Sequence, residues 1–304
     1  MPRLIYAALL GLSLIWGGSF YFIKMLLHDF GPWSIAFLRS GFGLLVVLVI
    51  MTVFKKPFGF RSIPWLAMFI MALINTAVPW TLIGFSEQRL TSSLASILNA
   101  TTPVWTIVVG IAFFGNKSSR MQWAGLITAT IGVIILLGIR PGTLLSFDGI
   151  GLIGMLGATL SYAVGSQLSK RLSNRGLTMY QITYGTLLSS TATSGIFALS
   201  TESITWAHLT SMDNVPMILG LGMLGSGFAY ILFYYMVEKG SAEFASMVTY
   251  LVPCTALIWG STLLGEPIKW NMLVGLVIIL GGVFIASRKP RTDSALRPQE
   301  VRSS

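Results

Sequence analysis

One charge in this chain lies where charge is costly. Arg39 sits about seven residues into the apolar run from Trp33 to Phe54, roughly 10 Å deep at a helical rise of about 1.5 Å per residue. An arginine at the centre of a membrane helix costs about 2.5–3.5 kcal/mol on insertion scales, so such residues face a cavity or a partner. The planar guanidinium fork matches a carboxylate, which makes recognition of an anionic or zwitterionic solute the leading chemistry. The structural alternative is an arginine that snorkels outward or binds loose carbonyls at a kinked neighbour. No Asp or Glu falls deep in an apolar run; Glu87, Glu238 and Glu266 all fall at run ends. A cationic solute therefore lacks an obvious counter-charge. Proton coupling through a buried acid is disfavoured too, leaving Glu87 or Glu238 to titrate at a cavity mouth.

Around Arg39, the residues able to line a polar cavity occur where helices should be interrupted. Pro79 follows Asn75 and Thr76 and precedes Trp80, and Gly225-Ser226-Gly227 precedes Tyr230 in a matching later run. Proline within a helix removes a backbone bond and bends it, so Pro103 should kink its helix near Asn99 and Pro253 near Tyr250. Interrupted membrane helices expose backbone groups that take the place of water around a solute. Trp16 and Ser19 fall near the middle of the first run, and Tyr162 and Ser166 near the middle of the sixth. Arg39, Trp16, Ser19, Asn75, Trp80, Asn99, Tyr162, Ser226, Tyr230 and Tyr250 are thus the candidate substrate contacts. Pro79, Pro103, Gly225, Gly227 and Pro253 are the candidate breaks or gates.

Other chemistries find little support. A single cysteine, Cys254, allows no internal disulfide and no thiolate metal cluster. The only histidines, His28 and His208, fall in loops with no second ligand nearby, so neither a metal site nor a nucleophile–base pair is expected. Gly220-Leu221-Gly222-Met223-Leu224-Gly225 matches a dinucleotide fingerprint by letter, but it lies inside an apolar run with no preceding strand. No cofactor is expected, and an enzyme is not.

The elements that must position these residues follow from composition. Of 304 residues, 54% are hydrophobic and only 10% charged, against about a quarter charged in soluble domains. The mean hydropathy is +0.77. Such a chain belongs in a bilayer, and segments near the roughly 20 residues needed to cross one recur throughout. Ten are expected: Leu4 to Leu26, Trp33 to Phe54, Pro64 to Ser86, Thr91 to Phe114, Gln122 to Ile139, Gly149 to Ser169, Met179 to Leu199, Val215 to Val237, Phe244 to Leu264 and Trp270 to Ser287. With the N-terminus inside, alternate connections divide the Lys and Arg residues fifteen to four, Lys24, Arg89, Arg140 and Lys269 forming the minority. The net charge of +10 is therefore read as topology, with both termini cytoplasmic, and not as a nucleic-acid surface.

The second half repeats the first. At an offset of 150, Ala95-Ser96 falls on Ala245-Ser246, Pro103 on Pro253, Gly115 on Gly265, Gly125 on Gly275 and Gly132 on Gly282. Five spans per copy force opposite orientations, and the connection bearing Lys55, Lys56 and Arg61 corresponds to one bearing Glu202, His208 and Asp213. The fold class expected is an all-α integral membrane protein of ten transmembrane helices in two inverted five-helix repeats. Residues 1–143 and 144–288 form the repeats, and 289–304 a basic, disordered cytoplasmic tail. Inverted repeats are an architecture of secondary transporters, in which one half rocks against the other about a central site.

The motifs Trp16-Gly17-Gly18-Ser19-Phe20, Ala95-Ser96 with Pro103, Ala245-Ser246 with Pro253, and above all Leu264-Gly265-Glu266-Pro267 with Gly275 and Gly281-Gly282-Val283 resemble the ten-helix EamA branch of the drug/metabolite transporter superfamily. The likeness runs to about Arg288. It departs at Gly115-Asn116, where the family usually has Gly-Glu, so any role of Glu266 is present in one copy only. The resemblance implies a cell-membrane or inner-membrane carrier that exports or exchanges small metabolites such as amino acids. Its partners would be a small-molecule substrate and the lipid bilayer, as a monomer or a homodimer. Multidrug or organic-cation efflux is the runner-up, and an intramembrane enzyme a remote third.

Overall fold

A computed structural model describes residues 3–115, 119–136, 148–239 and 248–287. The basic tail and the expected repeat boundary lie outside the described residues. Helix is the only regular structure among those described. In chain order it forms α1 (Arg3–Leu26), α2 (Pro32–Val53), α3 (Trp65–Ala72), a first π-helical segment (Leu73–Ala77), α4 (Val78–Glu87), α5 (Ser92–Asn99), α6 (Thr102–Phe114) and α7 (Arg120–Leu136). There follow α8 (Gly149–Asn174), α9 (Met179–Thr201), α10 (Trp206–Thr210), α11 (Asn214–Leu219), a second π-helical segment (Gly220–Phe228), α12 (Ala229–Lys239), α13 (Val248–Leu263) and α14 (Trp270–Ser287).

Five helical rods in the described residues are long and apolar enough to cross a membrane: Leu4–Leu26, Pro32–Val53, Trp65–Glu87, Ser92–Phe113 and Gly149–Asn174. Arg120–Leu136, Asn214–Phe228, Leu251–Leu263 and Trp270–Ile285 are apolar but shorter. Large apolar side chains face outward along these rods, with Leu66 76% exposed and Val277 70% exposed. Soluble chains rarely display apolar surface so freely, whereas a bilayer is its natural solvent.

Sequence punctuation sets the helix ends. Pro32 begins α2, where its missing N–H costs nothing. Thr178 and Gln181 form a reciprocal capping box that starts α9. Gly115 closes α6 in the left-handed region at φ 66°, a conformation glycine adopts without penalty. At the expected interruption α5 ends at Asn99, and after Ala100 and Thr101 Pro103 is the second residue of α6. The break expected at Pro253 differs: this proline lies inside α13, which runs unbroken from Val248 to Leu263.

The sequence halves interleave. α1 packs on α13, α12 and the second π segment, while α8 packs on α4, α6 and the first π segment. α2 joins the second π segment, and α9 joins α3 and the first, with α2 and α9 also lying along one another. One group consists of α1, α2, the second π rod and α13, and the other of the first π rod, α6, α8 and α9, with α5 packed on α13, α1 and α8 between them. The packing among the described residues does not divide at the midpoint of the chain. α7 and α14 form a close pair beside them, with glycines at the crossing. A Cβ on Gly132 would lie 2.7 Å from the Ile279 nitrogen, and one on Gly275 2.7 Å from the Leu136 Cα.

Candidate functional site

The two π segments interrupt the third rod and its later counterpart. A π turn inserts an extra residue into a helix, widens it, and recurs at functional sites. Asn75 lies in the first segment and Gly225 and Ser226 in the second. Each is pressed by a neighbouring helix at a glycine. A Cβ on Gly43 of α2 would lie 2.8 Å from the Ser226 Cβ, and one on Gly165 of α8 would lie 2.7 Å from the Asn75 Cα. These contacts leave no room for a methyl group, so the small residues set how closely the rods approach.

Between the segments is a cavity of about 720 Å³. Its wall includes Trp16, Ser19, Arg39, Asn75, Trp80, Asn99, Pro103, Tyr162, Gly225, Tyr230 and Pro253. Arg39 is fixed on two sides. Its Nε donates to the Ser226 hydroxyl at 2.9 Å, and its guanidinium carbon stacks 4.1 Å from the Trp80 ring centre. Ser226 in turn donates to the Leu221 carbonyl at 3.3 Å, five residues back, a reach that the widened turn provides. Trp16 Nε1 donates to the Gly225 carbonyl at 3.2 Å and meets Tyr230 edge-on, with ring centroids 6.5 Å apart. Among the described residues, Arg39 forms no ion pair with a carboxylate. A fixed cation with a stacked face and an unspent pair of terminal nitrogens can receive a carboxylate in bidentate fashion. The Asn99 Oδ1 is a buried acceptor without a hydrogen-bond partner among the described residues, on the same wall.

Not every candidate joins the wall. Ser226 stands behind Arg39 and holds it. Pro79 is buried in the first turn of α4, outside the cavity wall. Gly227 is a packing position outside the cavity wall, where a Cβ would meet Val46 of α2 at 2.6 Å. The Tyr250 side chain lies outside the described residues. Gly265 is a left-handed turn with φ 64°, and Glu266 follows it at the end of a helix, away from the wall. The sequence reading missed Ser96, Thr102, Thr106 and Gln122, which also line the cavity. Their small or amide side chains on apolar helices were the available signal.

Two charged residues are not where the connections suggested. Lys24, counted as a loop charge, is inside α1 and donates to the carbonyls of Glu87 and Leu90, the latter at 3.0 Å. Glu87 ends α4 yet is fully buried. Neither of its carboxylate oxygens has a hydrogen-bond partner among the described residues, so it is not a solvated group at a cavity mouth.

A helical bundle with apolar outer faces, interrupted helices and a polar cavity with one fixed cation has the construction of a membrane transporter. The EamA-like transporter family model matches residues 3–138 and again 149–288, and the chain belongs to that family. It is 24% identical over 280 residues to the uncharacterized transporter YoaV of Bacillus subtilis, covering 91% of this chain and 94% of that protein. It is 25% identical over 302 residues to the uncharacterized inner membrane transporter YedA of Escherichia coli K12, covering 94% of each. Protein PecM of Dickeya dadantii is 24% identical over 277 residues, 89% of this chain and 88% of its own. One solved crystal structure, 13% identical, superposes with a TM-score of 0.66 over 94% of this chain and 98% of that one. That likeness concerns the fold alone.

Proposed function

We propose that the protein is a secondary transporter that carries small carboxylate-bearing metabolites, amino acids foremost, by alternating access. In this reading ten spans form two inverted five-helix repeats, 1–143 and 144–288, with both termini in the cytosol. The observation that carries it is Arg39, anchored by Ser226 and stacked on Trp80 at the wall of the cavity, with no carboxylate in salt-bridge contact among the described residues. A buried cation costs free energy unless something pairs with it. The substrate carboxylate supplies the pair. Asn99 Oδ1 offers an acceptor to the ammonium of a zwitterion, and the aromatic wall of Trp16, Trp80, Tyr162 and Tyr230 accommodates an apolar side chain.

Direction follows from the same topology. Gln122, at the start of α7, lies toward the cytosolic end, whereas the starts of α2 and α5 lie at the outer end. A cavity that extends to Gln122 is open to cargo from the cytosol in this topology, and export is the direction proposed. Counterflow in proteoliposomes tests the reading: labelled amino acids should exchange saturably and quaternary cations should not.

A further inference from the structure

The helix starts at the two ends of the cavity are capped in different ways. α7 and α9 carry their own caps, with Ser119 N donating to Gln122 Oε1 at 2.8 Å and Thr178 N to Gln181 Oε1 at 2.9 Å. Such caps travel with their helix whatever the rest of the protein does. At the opposite end α5 and α8 also have caps of their own, Thr91 and Asp148, but there α2 and α5 are in addition capped by carboxylates from distant parts of the chain. The Glu202 carboxylate, just past the end of α9, accepts from Trp33 N at 3.0 Å, Ser34 N at 2.7 Å and Ser34 Oγ at 2.6 Å. Glu266, in the connection after α13, accepts from Ser92 N at 2.7 Å, Ser93 N at 2.9 Å and Ser93 Oγ. Lys24 of α1 holds the carbonyls at the end of α4 beside them.

Two of the ties, those of Glu202 and Lys24, cross between the two groups of helices, and the third ties α5, which packs on both. Glu202 extends from α9 to α2, Glu266 from the α13 connection to α5, and Lys24 from α1 to α4. Carboxylates on helix N-termini and an ammonium on a helix C-terminus are the favourable pairings with the helix dipoles, and charge-assisted bonds are about twice as strong as neutral ones. The groups also meet at the other end, but there Lys56 lies over the Tyr180 ring at 5.3 Å and Phe58 meets Tyr184 edge-on. Among the described residues no carboxylate of the other group caps α7 or α9.

We propose that Glu202 and Glu266, helped by Lys24, are the latches of one gate: they hold this end of the cavity shut, and every transport cycle must break them. This rests on the alternating-access reading, and it gives the Gly-Glu-Pro carboxylate a mechanical role. The copy with Asn116 in place of the acid would then lack the equivalent latch, which makes the two gates unequal by construction.

The experiment measures the gate without a substrate. In a Cys254→Ser background, Gln88→Cys and Ile268→Cys place one spin label on each side of the seam, and the distance distribution is recorded in nanodiscs. The latched parent should show one dominant short population. Glu202→Ala and Glu266→Ala should each raise the open-to-closed ratio about tenfold, and together more, while Glu266→Gln should fall between. A merely stabilising cap would lower the melting temperature without moving the distances, and that result overturns the proposal. So does a parent already dominated by the long distance. Should the alanine variants fail to fold, the same cysteine pair is closed by a short reducible cross-linker with both latches intact. Counterflow should then stop and return on reduction, whereas undiminished exchange through a cross-linked seam overturns the gate. If no substrate exchanges at all but the distances shift as stated, the latch holds and the transport reading is what fails.

Discussion

Arg39 and Ser226 are 187 residues apart in the chain and 2.9 Å apart at the cavity wall. The contact joins α2 to the second π segment, and it depends on Gly43 allowing the two rods to close. It orients the guanidinium so that one face stacks on Trp80 and the terminal nitrogens remain for a ligand. The sharpest expectations follow from this arrangement.

Ser226→Ala leaves the Arg39 Nε without its partner and frees the side chain to turn. Losing a hydrogen bond to a charged group costs about 1.5–3 kcal/mol, so half-saturation for the carboxylate substrate should rise about tenfold or more. Ser226→Thr keeps the hydroxyl and adds a methyl where Gly43 allows none, so it should lower stability. Counterflow kinetics and thermal melting in detergent separate the two outcomes.

Trp80→Leu removes the stacked ring while keeping apolar volume. A desolvated cation–π contact is worth about 2 kcal/mol, so affinity should fall about thirtyfold, with Trp80→Phe losing less. Isothermal titration or tryptophan-independent counterflow reads this directly.

How much of this was legible without coordinates depends on the distance over which each feature is decided. Arg39 stood out because one residue's depth in an apolar run is a local property. Asn75, Trp80 and Gly225 were found beside helix breakers, again local. The π turns themselves were not legible: proline and glycine mark an interruption but not its winding, and Pro253 shows that a membrane helix can absorb proline without breaking. Glu202 and Lys24 were read as loop charges, since nothing near them in sequence shows that a helix end 63 to 169 residues away needs their groups.

Gly282→Val tests the α7–α14 pair. A Cβ there would approach the Gly125 carbonyl oxygen at 2.7 Å, a contact with backbone that cannot rotate away. Overpacking of this kind costs about 1–3 kcal/mol, so the melting temperature should drop. Because neither α14 nor Gly282 lines the cavity, half-saturation for substrate should change little in the protein that remains folded. A large change in half-saturation would mean that this pair belongs to the site.

Arg39→Lys separates charge from geometry. Lysine keeps the positive charge but neither stacks flat nor offers two parallel donors. Exchange should weaken about tenfold or more and lose discrimination between carboxylates and their amides, measured by competition in the same vesicles.

Whether Arg39 receives the carboxylate of the cargo is decided by counterflow in proteoliposomes, with labelled amino acids run against labelled quaternary cations and Arg39→Ala beside the parent. The expected result is saturable, stereoselective amino-acid exchange that the folded Arg39→Ala protein has lost. Exchange of cations alone, unchanged by that substitution, would contradict it and leave Arg39 a structural residue.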